Sequence, residues 1–249
     1  MSKVKKIRLD QLLVNKRLAE SKSKAQSMIM AGQVLVDNKI ITKSGNSFNI
    51  NIKINVKQLH PQWVSRGSLK LLKAIEYFDI EIKNKTCLDI GASTGGFTHV
   101  LLKNRAKKIF SVDVGTNQLH EKLRKEKKIL SIENFNAKYL DQKIIGEKID
   151  LIVCDVSFIS LKKVIFPSLK LIKKNAEIIA LIKPQFETEK KNLIKGVVKD
   201  KSVHEEVCNN IKNWFMQKCE SDVIGIIQSP LNGPKGNVEF LIYCRLKKS

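Results

Sequence analysis

The sequence predicts an α/β protein: a mostly parallel, doubly wound sheet preceded by a small basic α+β segment. Three observations predict it. From residue 86 onward, short apolar runs alternate with amphipathic stretches in the order a parallel sheet requires. Residues 89–98 read Asp-Ile-Gly-Ala-Ser-Thr-Gly-Gly-Phe-Thr, a glycine-rich turn between an apolar approach and resumed helical spacing. Charge is uneven: residues 1–60 hold 12 Lys/Arg against 3 Asp/Glu, so +9 of the net +22 sits in the first quarter of a 249-residue chain.

Residues 1–58 form a self-contained pattern. Leu9, Leu12, Leu13 and Leu18 recur at helical spacing; Ser21 is expected to cap a second helix carrying Ala25, Met28 and Ile29, which Gly32 stops. Residues 33–36 read as a strand, 37–39 as a turn, and 50–56 alternate as a half-buried strand does. Pro61 and Gly67 mark 59–67 as a linker, which leaves 68–249 for the main domain. There Leu69, Leu71, Leu72, Ile75 and Phe78 give a helix with one apolar face, followed by expected strands at 86–90, 108–112, 129–132, 149–154, 177–182, 222–228 and 238–245. The loop before the last of these is too short for a helical crossover, so that strand is expected to run antiparallel to its neighbour.

Composition narrows the function. The longest apolar run, 178–182, is far too short to span a bilayer, and no signal peptide opens the chain, so a soluble cytoplasmic protein is expected, a monomer or weak dimer without a membrane partner. Five widely spaced cysteines read as reduced core thiols, and four histidines without ligand spacing argue against a metal site. The basic excess favours a polyanionic partner; a general taste for lysine explains part of it but not its concentration at the N-terminus.

The glycine turn reads as a ligand site by its context, a strand before it and a carboxylate leading it; a turn that only packs a helix against the sheet is the competing explanation. Its spacing is G-x-x-x-G-G, not the G-x-G-x-x-G of dinucleotide binding, and no Lys-Ser or Lys-Thr pair follows for a phosphate loop. Asp89, Gly91, Ala92, Ser93, Thr94, Gly95 and Gly96 are therefore candidates for holding another cofactor. In doubly wound sheets, ligands lie over the carboxyl ends of the strands, where Asp89, Asp113, Asp155 and Lys183 fall. Asp113, 24 positions after Asp89, suits a ribose diol, since each oxygen can accept from a hydroxyl; a helix N-cap is the competing explanation. Asp155 and Lys183 each follow an apolar strand, which puts a carboxylate and an ammonium in one cleft; a structural ion pair is the competing explanation.

Two resemblances sharpen this. Residues 7–10, 18–25 and 32–36 resemble the alpha-L RNA-binding motif of a small-subunit ribosomal protein and of bacterial pseudouridine synthases, which implies RNA-backbone contacts for Arg8, Lys22 and Lys24. Lys22 stands where that motif usually carries arginine. The blocks Val-Ser-Arg-Gly-Ser-Leu-Lys-Leu (64–71), 89–98, Asp-Val-Ser-Phe-Ile-Ser-Leu (155–161), Leu-Ile-Lys-Pro-Gln-Phe-Glu (181–187) and Gly-Asn-Val-Glu-Phe-Leu (236–241) resemble the TlyA family, ribosomal RNA 2′-O-methyltransferases often labelled haemolysins. That resemblance implies a Rossmann-like class I methyltransferase domain of the FtsJ type with a seven-stranded sheet. It also implies S-adenosyl-L-methionine as cofactor, ribosomal RNA or ribosomal subunits as partner, and cytidine as the target nucleotide. It carries a Lys-Asp-Lys-Glu tetrad onto Lys70, Asp155, Lys183 and Glu239, places Asn136 near the adenine and Arg66 at the RNA. Asn134 and Lys138 replace usual arginines, and Ser68 and Lys199 stand where glycine and arginine are common.

The chemistry needs those residue types. A ribose hydroxyl is a poor nucleophile until a base takes its proton, and a sulfonium methyl donor requires alignment but no metal. Lysine serves as a base only where burial or a second cation disfavours its charged form, so Lys70 is expected to assist Lys183, and Asp155 to orient it. Glu239 is expected to orient Lys70 or to accept from the substrate ribose. The charged segment 187–203 is expected to be a mobile loop closing on RNA. Alternatives are weaker: 155–158 lack the paired prolines of exocyclic-amine methyltransferases, a membrane-active haemolysin has no spanning segment to use, and the intact tetrad argues against an RNA-binding protein without activity.

Overall fold

The computed structural model describes residues 6–19, 21–30, 32–56 and 62–247. The chain divides into two compact units, Met1–Pro61 and Gln62–Ser249.

In the first unit, β1 (Lys6–Arg8) leads directly into α1 (Leu9–Asn15), whose Leu9, Leu12 and Leu13 are fully buried. Leu18 is not part of that helix: Arg17 takes a left-handed φ of 56°, and the Leu18 N–H turns back to the Leu13 carbonyl. Helix α2 (Lys22–Met30) starts as expected, with Ser21 Oγ accepting from the Lys24 N–H at 3.1 Å. Strands β2 (Val34–Val36) and β3 (Lys39–Ile40) form a hairpin through Asp37 and Asn38, both at positive φ, as a two-residue turn requires.

The strand expected over 50–56 breaks in two. Asn49 Oδ1 accepts from the Asn51 N–H and the Asn49 carbonyl from Ile52, so the backbone turns there. Only β5 (Ile54–Val56) remains, paired with β2, while β4 (Ser47–Asn49) pairs antiparallel with β1 in a second sheet that the sequence does not announce.

The second unit begins at Gln62 rather than at residue 68. Trp63 and Val64, expected in a linker, pack on its core: the Trp63 ring meets His99 edge-on at 5.0 Å, and the Val64 N–H donates to His99 Nδ1. The start of that linker, up to residue 61, lies outside the described residues.

Helix α3 (Ser68–Phe78) precedes the parallel strands β6 (Thr86–Ile90), β7 (Lys108–Val112), β8 (Ile129–Ile132) and β9 (Ile149–Cys154), with α4 (Gly96–Lys103), α5 (Glu121–Arg124) and α6 (Gln142–Ile145) between them. After α7 (Lys162–Ser168), β10 (Ile172–Ile182) starts earlier than expected, with an irregular register between Ile172 and Glu177. Then come α8 (Pro184–Glu187), α9 (Lys201–Lys218), β11 (Ser221–Gln228) and β12 (Phe240–Leu246). The sheet order is β11-β12-β10-β9-β6-β7-β8, and β12 runs antiparallel to both its neighbours.

Alternate strand residues feed two cores. Leu88, Ile90, Ile152 and Ile178 join α7 and α9 on one face; Cys87, Ile109, Val153 and Ile179 join α3 and α4 on the other. All five cysteines are free, and four of them are buried. The order reverses beside β6, where β9 lies on one side and β7 on the other, and such a switch point opens a crevice at the strand ends.

Candidate active site

The crevice is built on the turn after β6. The N–H groups of Gly91 and Ala92 both donate to the Val112 carbonyl, and Ser93 N–H donates to Asp113 Oδ2 at 2.8 Å, so the turn is tied to the end of β7. Gly91 has φ +82°, and a Cβ there would lie 2.5 Å from the Asp155 carbonyl oxygen; only glycine lets the turn and the end of β9 come this close. Gly96 answers to a different neighbour. A Cβ on it would stand 2.4 Å from Ser65 Oγ and 3.1 Å from the Ser68 N, so the start of α3 rests on the start of α4, with Ser68 Oγ donating to the Gly96 carbonyl.

Two cavities open here. The larger, about 400 Å³, has apolar walls from Val112, Phe135, Ala137 and Ile159, with Asp113 and Asn136 among them. The smaller, about 210 Å³, is lined by Ala92, Ser93, Thr94 and Gly96 on one side and by Ser65 and Lys183 on the other. Gly91, Ser93, Asp155 and Ser157 line both, so they form one divided cleft.

Asp89 and Gly95, expected at the cofactor, line neither cavity. Asp89 lies behind the turn, fully buried; its Oδ2 accepts from Thr98 Oγ1 at 2.6 Å, and Thr98 in turn meets Ser111 Oγ at 2.7 Å. Burial pushes its carboxyl up to about 7, against the Thr98 hydrogen bond. Asp89 thus supports the turn from inside. Gly95 faces the Leu119 and Leu123 side chains.

The four tetrad residues come from α3, the end of β9, the end of β10 and the approach to β12, and they meet in a line. Glu239, 1% exposed, accepts from Lys70 Nζ at 2.7 Å; Lys70 stands 3.8 Å from Asp155 Oδ2; Asp155 Oδ1 lies 2.6 Å from Lys183 Nζ. Both lysines are buried. Their charges alternate along the line, so no like charges are nearest neighbours, and the Asp155–Lys183 end is the one that reaches the cleft.

Several participants have no signature in the sequence. Ser157 Oγ accepts from Lys183 Nζ at 2.9 Å. Glu187 binds Ser160 Oγ at 2.7 Å and the Leu161 N–H at 2.6 Å, tying α8 to the loop that carries Ser157; burial pushes its carboxyl up. Glu133 gathers the N–H groups of Asn117, Gln118 and Leu119 and shapes the loop after Asp113. Asn237 donates to the Gly196 and Pro234 carbonyls and accepts from Val198 N–H, which ties the charged segment 187–203 down beside Glu239 and starts β12 at Phe240 rather than 238. Only polar residue types inside the resemblance blocks hint at Ser157, Glu187 and Asn237.

Of the expected RNA contacts, Arg66 is exposed in the turn before α3, and Lys22 and Lys24 are exposed in the first turn of α2. Arg8 is half-committed: its guanidinium makes a two-point bond to fully buried Asp10, which also accepts from Gln26. No three His, Cys, Asp or Glu side chains are grouped to hold a metal among the described residues.

A doubly wound sheet with an antiparallel last strand, a glycine turn and a lysine–carboxylate line defines a methyltransferase-type catalytic domain. The FtsJ-like methyltransferase family matches residues 63–246, and the S4 domain family matches residues 7–46. Hemolysin A of Brachyspira hyodysenteriae is 42% identical, with 95% of this chain and 99% of that protein covered. The 16S/23S rRNA (cytidine-2′-O)-methyltransferase TlyA of Mycobacterium tuberculosis is 37% identical over 97% of this chain and 90% of its own. A solved structure titled as a hemolysin, from Streptococcus thermophilus, superposes with a TM-score of 0.78 at 34% identity, covering 99% of this chain and 90% of that one. The chain belongs to the FtsJ-like methyltransferase family, in its S4-bearing TlyA branch.

Proposed function

We propose that this protein transfers a methyl group from S-adenosylmethionine to a ribose 2′-hydroxyl of ribosomal RNA, at cytidine. The observation that carries the reading is the Glu239–Lys70–Asp155–Lys183 line ending at the cleft. The larger cavity suits an adenosine: apolar walls for the ring, Asn136 at its edge, and Asp113 beside it for the ribose diol. The smaller cavity, with Ser93, Thr94 and the Gly91 turn, suits the amino-acid end. When bound, the donor supplies an electrophilic methyl carbon and its own leaving group.

The chain's residues then have one chemical task, to make the hydroxyl nucleophilic. Lys183 Nζ takes the hydroxyl proton, and the ammonium so formed already faces Asp155 at 2.6 Å. Glu239 fixes Lys70, and Lys70 shares Asp155 with Lys183. The S4 unit, with Lys22 and Lys24 exposed, supplies a basic surface for an RNA backbone. No helix among the described residues is long and apolar enough to cross a membrane, so the hemolysin names of relatives find no support in a spanning helix.

The test is incubation with labelled S-adenosylmethionine and ribosomal RNA or subunits lacking the modification, followed by mapping of 2′-O-methyl positions. Label at a cytidine ribose, lost in Lys183→Ala while donor binding persists, is the expected result. Label on a base, or full turnover by Lys183→Ala, would overturn it.

A further inference from the structure

A lysine acting as a base needs its lone pair aimed, as well as freed. Neutral Nζ is tetrahedral: one corner is the bond to Cε, two carry N–H groups, and the fourth is the lone pair. Lys183 Nζ donates to Ser157 Oγ at 2.9 Å and pairs with Asp155 Oδ1 at 2.6 Å as an ion pair without hydrogen-bond geometry. The Ser157 hydrogen bond fixes one N–H and the Asp155 charge attracts the other, which narrows the directions left to the lone pair; Lys183 lines the smaller cavity. Without the Ser157 hydrogen bond, rotation about Cε–Nζ would let a hydrogen take the corner that the lone pair needs.

Ser157 is well placed to act as the second anchor. It is exposed and lines both cavities. Its loop is fixed at both ends: the Asp155 N–H donates to the Ile90 carbonyl at 3.0 Å, and Ser160 and Leu161 donate to Glu187. Between them Phe158 is held at φ +63°, a conformation that a bulky residue adopts only under constraint. Glu187 closes the four-residue helix that Lys183 precedes, so serine and lysine are carried by two segments clamped to each other.

We infer that Ser157 is a positioning residue for methyl transfer: its hydroxyl accepts one N–H of Lys183 and thereby directs the lysine lone pair at the ribose hydroxyl. The inference rests on Lys183 being the base. Its role is separate from the tetrad's, because Ser157 carries no charge and does not alter the alternation along the line.

The experiment compares Ser157→Ala and Ser157→Thr with the unaltered full chain and with Lys183→Ala, measuring kcat and both KM values with labelled S-adenosylmethionine and unmodified ribosomal RNA. The expected result is a fall in kcat of about tenfold or more for Ser157→Ala, both KM values within about twofold, and recovery of most of the loss by Ser157→Thr, since misaimed groups of this kind cost one to two orders of magnitude. If Lys183→Ala is inactive and Ser157→Ala keeps its kcat within twofold, the inference falls and the base assignment stands. A rise in either KM with kcat unchanged would mark Ser157 as a substrate or donor contact, and failure of Ser157→Thr to recover would show that the hydroxyl is not what matters; either overturns it. Normal turnover by Lys183→Ala removes both the base and its anchor. Because Ser157 is exposed, neither substitution removes a core group, and far-UV circular dichroism with donor titration checks that the fold and the cleft persist.

Discussion

Lys70 and Glu239 are 169 residues apart in the chain and 2.7 Å apart in space, with the carboxylate fully buried. The contact joins the first helix of the second unit to the approach of its last strand, so under the proposed mechanism catalysis and folding meet in one ion pair. Breaking such a pair leaves an uncompensated buried charge, at about 3–5 kcal/mol in well-buried cases. Glu239→Gln should lower Tm and reduce methyl transfer by about tenfold to a hundredfold. Adding Lys70→Met should recover much of the Tm without recovering activity. A thermal-unfolding double-mutant cycle alongside single-turnover assays checks this; additive Tm losses would mean that the two residues are not coupled.

Glu187 has an equally long reach in function if not in sequence. Its carboxylate holds Ser160 and the Leu161 N–H, and Lys183 lies one helical turn before it. Glu187→Ala leaves the Leu161 N–H without its partner, at about 1–3 kcal/mol for a buried donor. The loop bearing Asp155 and Ser157 should loosen, and kcat should fall by about tenfold with donor affinity largely kept. Hydrogen exchange at residues 156–161, faster than in the unaltered protein, is the accompanying observation; unchanged exchange would contradict the clamp.

These bonds mark the limit of what the chain shows as a string. Strands 86–90, 108–112, 129–132 and 149–154 are legible because each is an apolar run long enough to cross the sheet, and the antiparallel end follows from a short loop. Asp155 and Lys183 are legible at the ends of apolar strands, but Lys70 and Glu239 come from resemblance alone, since nothing local distinguishes a buried partner there from a solvated charge. Pairing of β1 with β4 is hidden because three-residue strands carry too little alternation to register. At Asp89 a carboxylate before a glycine turn reads as a ligand contact, and nothing in the string shows that a hydroxyl nine residues on, Thr98, binds it from inside.

Asp89 carries a pH prediction. Its carboxyl is pushed up to about 7 by burial, against about 3.9 in an unfolded chain. Between those values the folded protein holds the proton more tightly than the unfolded one, so this group's contribution to stability is full below pH ~4 and is lost as pH rises through ~7. Asp89→Asn removes the titration while keeping an oxygen for Thr98. The difference in Tm between the unaltered protein and Asp89→Asn should therefore shift in favour of the variant as pH goes from 5 to 8. A constant difference across that range would show that Asp89 is ionised throughout.

In the first unit the distinction between structural and RNA-facing charge is testable residue by residue. Arg8 holds Asp10 by two hydrogen bonds, and these hold the Asp10 carboxyl well below the usual carboxylate range. Its stabilising effect is present at neutral pH and lost as pH falls through that depressed value. Arg8→Ala should accordingly destabilise the unit near neutrality, whatever it does to RNA. Lys22 and Lys24, exposed on α2, should behave otherwise: alanine at either leaves Tm within about a degree, weakens binding to RNA of any sequence, and lowers the slope of log affinity against log salt by about 1 for each phosphate no longer neutralised. Thermal unfolding and salt-titrated RNA binding on the full chain separate the two cases. Equal salt slopes for Lys22→Ala, Lys24→Ala and the unaltered protein would remove those lysines from the RNA surface, and an Arg8→Ala variant with unchanged Tm would return Arg8 to it as a free cation.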